Sequence, residues 1–88
     1  MSTPSVGRLN KRHAILTGAG GGIGAAVAAA FLREGALCTI VDLAAQPSQA
    51  VQELAAQYPG QVLYVGADLT KAAERERVVA EGVAKFGP

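Results

Sequence analysis

The run Thr17-Gly18-Ala19-Gly20-Gly21-Gly22-Ile23-Gly24 places five glycines in eight residues, directly after the apolar run His13-Ala14-Ile15-Leu16-Thr17. So dense a glycine cluster cannot continue a strand or sit inside a helix without an entropic penalty, so the chain must turn here. The next stretch is helical in pattern: Ile23, Ala26, Val27, Ala30 and Phe31 recur at spacings of three and four, and Gly35 stands where a helix end favours a left-handed residue. Strand, glycine turn and helix therefore succeed one another within about twenty residues, which restricts the chain to architectures built from such units.

The unit repeats. Leu37 to Val41 is a second unbroken apolar run, ending at Asp42. Val51, Leu54, Ala55 and Tyr58 then make a helical stripe that Pro59-Gly60 stops. Val62-Leu63-Tyr64-Val65 reads as a third strand, Asp68-Leu69-Thr70 offers helix caps, and Val79, Val83 and Phe86 form a third stripe before Gly87-Pro88. The order is βαβαβα. Unbroken apolar strands alternating with helices call for a parallel sheet with right-handed crossovers, so the fold class is α/β, a Rossmann-type parallel sheet forming one half of a doubly wound fold. The first strand is expected to be buried on both faces. In the usual 3-2-1 strand order it lies at the edge, with the first two helices on one face and the third on the other. Residues 1–11 read as a polar leader and 12–88 as the N-terminal half of a dinucleotide-binding domain, expected to be truncated before a fourth strand.

Composition sets bounds on the partners. Eight Lys and Arg against seven Asp and Glu leave a formal charge of +1, and no run of like charge exceeds Lys11-Arg12, so electrostatic capture of nucleic acid or an acidic membrane is not expected. The twenty uncharged residues from His13 to Leu32 hold too many glycines to span a bilayer. A single cysteine, Cys38, excludes an internal disulfide framework and points to a reducing, cytoplasmic setting. It and the single histidine, His13, read as structural, and no metal site is expected.

The turn's chemistry comes from its position. Glycines at the carboxyl end of a strand, opening a helix, let a pyrophosphate approach backbone N–H groups and the positive end of the helix dipole. Asp42, eighteen positions after Gly24 at the end of the second strand, suits a carboxylate accepting ribose hydroxyls. The spacing G-x-G-x-x-G fails, because counting from Gly18 its last position is Ile23; G-x-x-x-G-x-G fits at Gly18, Gly22 and Gly24. An NTPase phosphate loop would need Gly-Lys-Ser or Gly-Lys-Thr where Gly24-Ala25-Ala26 stands, and a hydrolase elbow would need a serine within the turn. An S-adenosylmethionine-dependent methyltransferase remains a rival, although it usually carries an acid where this chain has Thr17.

Thr17-Gly18-x-x-x-Gly22-Ile23-Gly24 resembles the cofactor fingerprint of the short-chain dehydrogenase/reductase family, single-domain Rossmann-type oxidoreductases. Leu9-Asn10-Lys11 resembles the family's lead-in to its first strand, with Asn10 where glycine is common and Asn tolerant of positive φ. Ala67-Asp68-Leu69-Thr70 resembles the acidic motif closing the third strand, and Lys85-Phe86-Gly87-Pro88 the segment before the fourth. The resemblance implies that Gly18, Gly22 and Gly24 bind pyrophosphate, that Ile23 contributes a backbone N–H, that Asp42 binds the adenine-side ribose and that Asp68 lies beside the adenine. It implies NAD in preference to NADP, a small hydroxyl or carbonyl substrate, and a homo-oligomer in the complete protein. The family's Tyr-x-x-x-Lys pair is not met by Tyr58 or Tyr64, which are followed four places on by Val62 and Asp68. Both tyrosines read as core, and no catalytic residue is expected in this chain. A noncatalytic nucleotide-binding or assembly fragment is the alternative reading.

Overall fold

The computed structural model describes residues 10–18 and 22–87. The elements run β1 (His13–Thr17), α1 (Gly22–Arg33), β2 (Leu37–Asp42), α2 (Gln49–Gln57), β3 (Val62–Gly66) and α3 (Ala72–Phe86). The strands form one parallel sheet in the order β1-β2-β3, with Ala14 opposite Cys38 and Cys38 opposite Val62. This is the expected Rossmann-type α/β unit. Among the described residues no helix is long and apolar enough to cross a membrane.

Alternation along the strands divides the core in two. Cys38 and Ile40, with Ala14, Leu16, Val62 and Tyr64 beside them, face α1 and α2 and pack against Ala28, Leu32, Val51 and Leu54. Val41 and Val65 face the other way, with Ala67 and Val78 of α3. The central strand is the most apolar because it is covered on both sides: residues 38–41 are all buried. Its one buried polar side chain, Thr39, is satisfied by His13, whose Nε2 lies 2.8 Å from Thr39 Oγ1. The structural reading of His13 and Cys38 fits these surroundings.

Three sequence expectations are corrected. β1 is not buried on both faces. It lies at the sheet edge, where Ala14 and Leu16 pack beneath the helices but Ile15 on the opposite face stays 43% exposed. In α1 the buried residues are Ala28 and Leu32, whereas Ile23 is 86% and Val27 45% exposed. In α3 they are Val78 and Gly82, while Val79 and Val83 are largely exposed. Both helices turn a smaller residue to the sheet than the stripe of larger apolar residues suggests, because close packing on a sheet is limited by backbone approach. Gly82 shows the limit: a Cβ there would stand 2.9 Å from His13 Cε1 and 3.0 Å from Thr39 Oγ1. Phe86, one turn on, meets the His13 ring edge-on at 5.1 Å.

Local signals set the helix ends. Ser48 caps α2, its Oγ accepting from Val51 N at 3.3 Å. Gly35 closes α1 with φ +90°, its N–H donating to Leu32 O. In the lead-in to β1 the left-handed conformation falls on Lys11, at φ +60°, and the Lys11 N–H donates to Gly35 O. The cap of α3 is also corrected. It is Lys71, without a side-chain cap bond, because the Asp68 carboxylate is committed to a tighter turn upstream.

Candidate functional site

The three strands run parallel, so their carboxyl ends lie together, and each ends in a residue singled out by the sequence. After β1 comes Gly18, at φ +67°, a conformation that costs an L-residue about 1–2 kcal/mol. Its N–H donates to Val41 O at 2.9 Å, extending the bonding of β1 to β2 one residue past the Thr17–Val41 pair. β2 ends in Asp42, whose carbonyl accepts from Ala67 N at 2.9 Å and whose Oδ1 accepts from Leu43 N at 2.8 Å. β3 runs through Gly66, paired with Asp42, into Ala67 and Asp68.

A cavity of about 360 Å³ opens over these strand ends, with Gly18, Asp42, Leu43, Asp68, Leu69 and Thr70 among its walls. Sequence positions 18, 42 and 68 therefore share one space, with the apolar side chains of Leu43 and Leu69 beside two carboxylates. Gly22, Ile23 and Gly24 stand outside its walls, in the first turn of α1. The first backbone N–H groups of a helix have no partner within it, and they lie at the positive end of its dipole. Among the described residues, a Cβ built on Gly22 would meet nothing within 4 Å. The Ala19-Gly20-Gly21 part of the glycine run lies outside the described residues.

Asp68 organises its own segment. Its Oδ1 accepts from the Thr70 hydroxyl at 2.6 Å and from the Thr70 N–H at 3.0 Å. The hydroxyl bond is the main cause holding its carboxyl below the ordinary range, and the amide bond acts the same way. Its own N–H donates to Glu74 Oε1 at 3.4 Å. Glu74 is paired through its Oε2 with Arg77 Nε at 3.1 Å, and Arg77 donates through Nη2 to Gly66 O at 2.7 Å. Exposed pairs of this kind contribute little stability one by one; here they tie the start of α3 to segment 66–68. Arg77 also pairs with Glu81 at 2.8 Å.

Sequence reasoning missed Glu74 and Arg77, which look like an ordinary solvated helix face. It also missed the outward end of Tyr64. The ring packs beside the core as expected, but its hydroxyl donates to Ala44 O in the segment after Asp42. Neither contact leaves a local pattern. Among the described residues no three His, Cys, Asp or Glu side chains gather as metal ligands.

The arrangement has groups of the kinds that bind a nucleotide: carboxylates able to accept hydrogen bonds from hydroxyls, apolar walls, and a helix that starts at a glycine. The family model described as short chain dehydrogenase matches residues 12–88. The chain is 41% identical over 80 residues to a Rhizobium meliloti protein named "Probable galactose dehydrogenase GalD", covering 90% of this chain and 31% of the relative. It is 35% identical over 80 residues to a cis-2,3-dihydrobiphenyl-2,3-diol dehydrogenase of Pseudomonas, covering 91% and 28%. Among solved structures, the apo form of Caenorhabditis elegans glucose dehydrogenase superposes with a TM-score of 0.77 at 36% identity, covering 91% of this chain and 35% of that one. A Brucella melitensis 3-ketoacyl-(acyl-carrier-protein) reductase complexed with NADH gives 0.76 at 33%, covering 90% and 31%. The chain thus spans about a third of the length of these relatives. With the family's fingerprint at its first turn and the family model matched over residues 12–88, the chain belongs to the short-chain dehydrogenase/reductase family.

Proposed function

We propose that this chain is the cofactor-binding portion of an NAD-dependent oxidoreductase acting on a small hydroxyl or carbonyl compound. The observation that carries the reading is the convergence of Gly18, Asp42 and Asp68 on one cavity at the carboxyl ends of three parallel strands, where open α/β sheets bind their ligands. In this reading Gly18, Gly22 and Gly24 leave room for the pyrophosphate, and Ile23 offers it a backbone N–H. Asp42 accepts the adenine-side ribose hydroxyls, and Asp68 closes the adenine side with Leu43 and Leu69. Bound NAD supplies the hydride acceptor. The chain's own residues bind and orient it, and the proton-transferring residues belong to sequence beyond these strands. For the chain alone the proposal is at most weak NAD binding, without turnover. A cytoplasmic address, homo-oligomeric assembly and the absence of nucleic-acid or membrane partners belong to the same proposal.

Asp42 decides the choice of cofactor. A carboxylate at the ribose repels a 2′-phosphate, and residues 43–46, Leu-Ala-Ala-Gln, offer no cation to offset it. Titration of the chain with NAD and with NADP tests this. Asp42→Ala is expected to lower the preference for NAD by about 1–3 kcal/mol, as for loss of hydrogen bonds to a charged group. Equal or tighter binding of NADP by the unmutated chain would overturn the assignment.

A further inference from the structure

We infer that Tyr64 is a positioning residue for the ribose end of this site, holding the segment after Asp42 so that an unphosphorylated 2′-hydroxyl is accepted and a 2′-phosphate is not; the inference rests on the nucleotide reading above. Strand register puts the residues concerned on one face. Ile40 pairs with Tyr64 and Asp42 with Gly66, so Asp42, Tyr64 and Gly66 share the sheet face that carries α1 and α2. The Tyr64 ring packs beside the core of that face. Its hydroxyl reaches past the core to donate to Ala44 O, two residues beyond Asp42.

Gly66 makes the second contact with the same segment. A Cβ there would stand 2.6 Å from Ala44 O and 3.0 Å from Ala45 Cα. β3 therefore meets residues 44–45 at two points, a hydrogen bond from Tyr64 and a close approach that only glycine permits. The segment has little else to hold it. Leu43, Ala44, Ala45 and Gln46 are all exposed, Leu43 by 72%, and exposed chain with few packed contacts shifts readily. Asp42 is joined to this segment directly, so the direction of its carboxylate depends on where Ala44 is held. The two side chains are close enough to sense each other: the phenol of Tyr64 is pushed above its ordinary value by burial first and by the charge of Asp42 second. The hydroxyl therefore stays a donor through the physiological range.

Tyr64→Phe removes the donor and keeps the ring. Freed from β3, segment 43–46 can withdraw from the ribose, which loosens the carboxylate from the 2′-hydroxyl and opens room for a 2′-phosphate. The signature is a change in the ratio of two affinities, since damage to the fold would weaken both ligands alike.

The experiment titrates the full chain and its Tyr64→Phe and Gly66→Ala variants with 5′-AMP and with adenosine 2′,5′-bisphosphate. These probes engage only the adenosine side of the site. Circular dichroism and a thermal midpoint are recorded for each protein. The unmutated chain is expected to prefer 5′-AMP, and Tyr64→Phe to narrow that preference roughly three- to tenfold, as for loss of one hydrogen bond, with little change in thermal midpoint. Gly66→Ala, which displaces Ala44 by sterics, is expected to narrow it too; if that variant fails to fold, Tyr64→Phe decides alone. An unchanged ratio in Tyr64→Phe, or equal weakening of both probes, overturns the role given to Tyr64 and leaves the cofactor reading standing. Failure of the unmutated chain to bind either probe overturns the cofactor reading itself, and this inference with it.

Discussion

His13 Nε2 and Thr39 Oγ1 lie 2.8 Å apart, a hydrogen bond that joins the edge strand to the central strand beneath α3. It satisfies the hydroxyl of the fully buried Thr39, where an unpaired polar group would cost about 1–3 kcal/mol. It also explains how close α3 lies, because the helix passes over the pair at Gly82. Gly82→Ala places a Cβ 2.9 Å from the imidazole and 3.0 Å from the hydroxyl. Although alanine is the better helix former, overpacking of this kind costs about 1–3 kcal/mol. Urea denaturation followed by circular dichroism is expected to show a lower midpoint for Gly82→Ala. A midpoint at or above that of the parent would mean that α3 can retreat without loss.

Gly18 and Gly22 belong to one glycine run but are held by different constraints. At Gly18 the φ of +67° makes any side chain strained, so Gly18→Ala is expected to cost about 1–2 kcal/mol of stability whether or not a ligand is present. Gly22 is not in the left-handed region, and among the described residues a Cβ there meets nothing within 4 Å. Gly22→Val is therefore expected to keep native-like circular dichroism while losing NAD affinity, because the side chain stands where the pyrophosphate would approach. Retained affinity would move the pyrophosphate elsewhere.

Asp68 gives the site an acid-side pH response. Its carboxyl is held below the ordinary range chiefly by the Thr70 hydroxyl and next by the Thr70 amide. A carboxyl depressed in the folded state adds stability above its unfolded pKa of about 3.9, and that contribution fades as the pH falls through the lower folded value. The turn at 68–70 is thus expected to loosen only below about pH 4. Thr70→Val, lacking the hydroxyl, should raise the Asp68 titration midpoint towards the ordinary value, and Thr70→Ser should keep it low. Carboxyl-detected NMR titration measures both, and an unmoved midpoint in Thr70→Val would remove the hydroxyl as the cause.

The strands and their alternation with helices were legible in the sequence because each leaves a local mark, and the order of the strands followed from the fold class. Apolar runs of five or six residues bounded by glycine or an acid have the length and punctuation of strands, and alternation with helical stretches leaves the parallel sheet as the economical way to bury them. The place of Asp42 at the end of β2 was legible for the same reason, whereas Asp68, two residues beyond β3, was singled out by its resemblance to the family's acidic motif. For α2 the stripe of Val51 and Leu54 is the face that packs on the core, but which face α1 and α3 bury was not legible. Within α1, the sequence Gly-Ile-Gly-Ala-Ala-Val-Ala-Ala-Ala-Phe-Leu-Arg is apolar on nearly every side, so periodicity gave no secure direction and the larger side chains of Ile23 and Val27 pointed the wrong way. In α3, Val79 and Val83 misled in the same manner. The sheet chose instead, taking Ala28 with Leu32 and Val78 with Gly82, because a helix lies closest where its side chains are small and its neighbours complementary. The contacts that shape the site, Tyr64 on Ala44, Glu74 on Asp68 and Arg77 on Gly66, join residues 20, 6 and 11 positions apart. Only the packing of β3 beside the segment after β2, and of α3 back onto the end of β3, brings them together, so tertiary structure decided them.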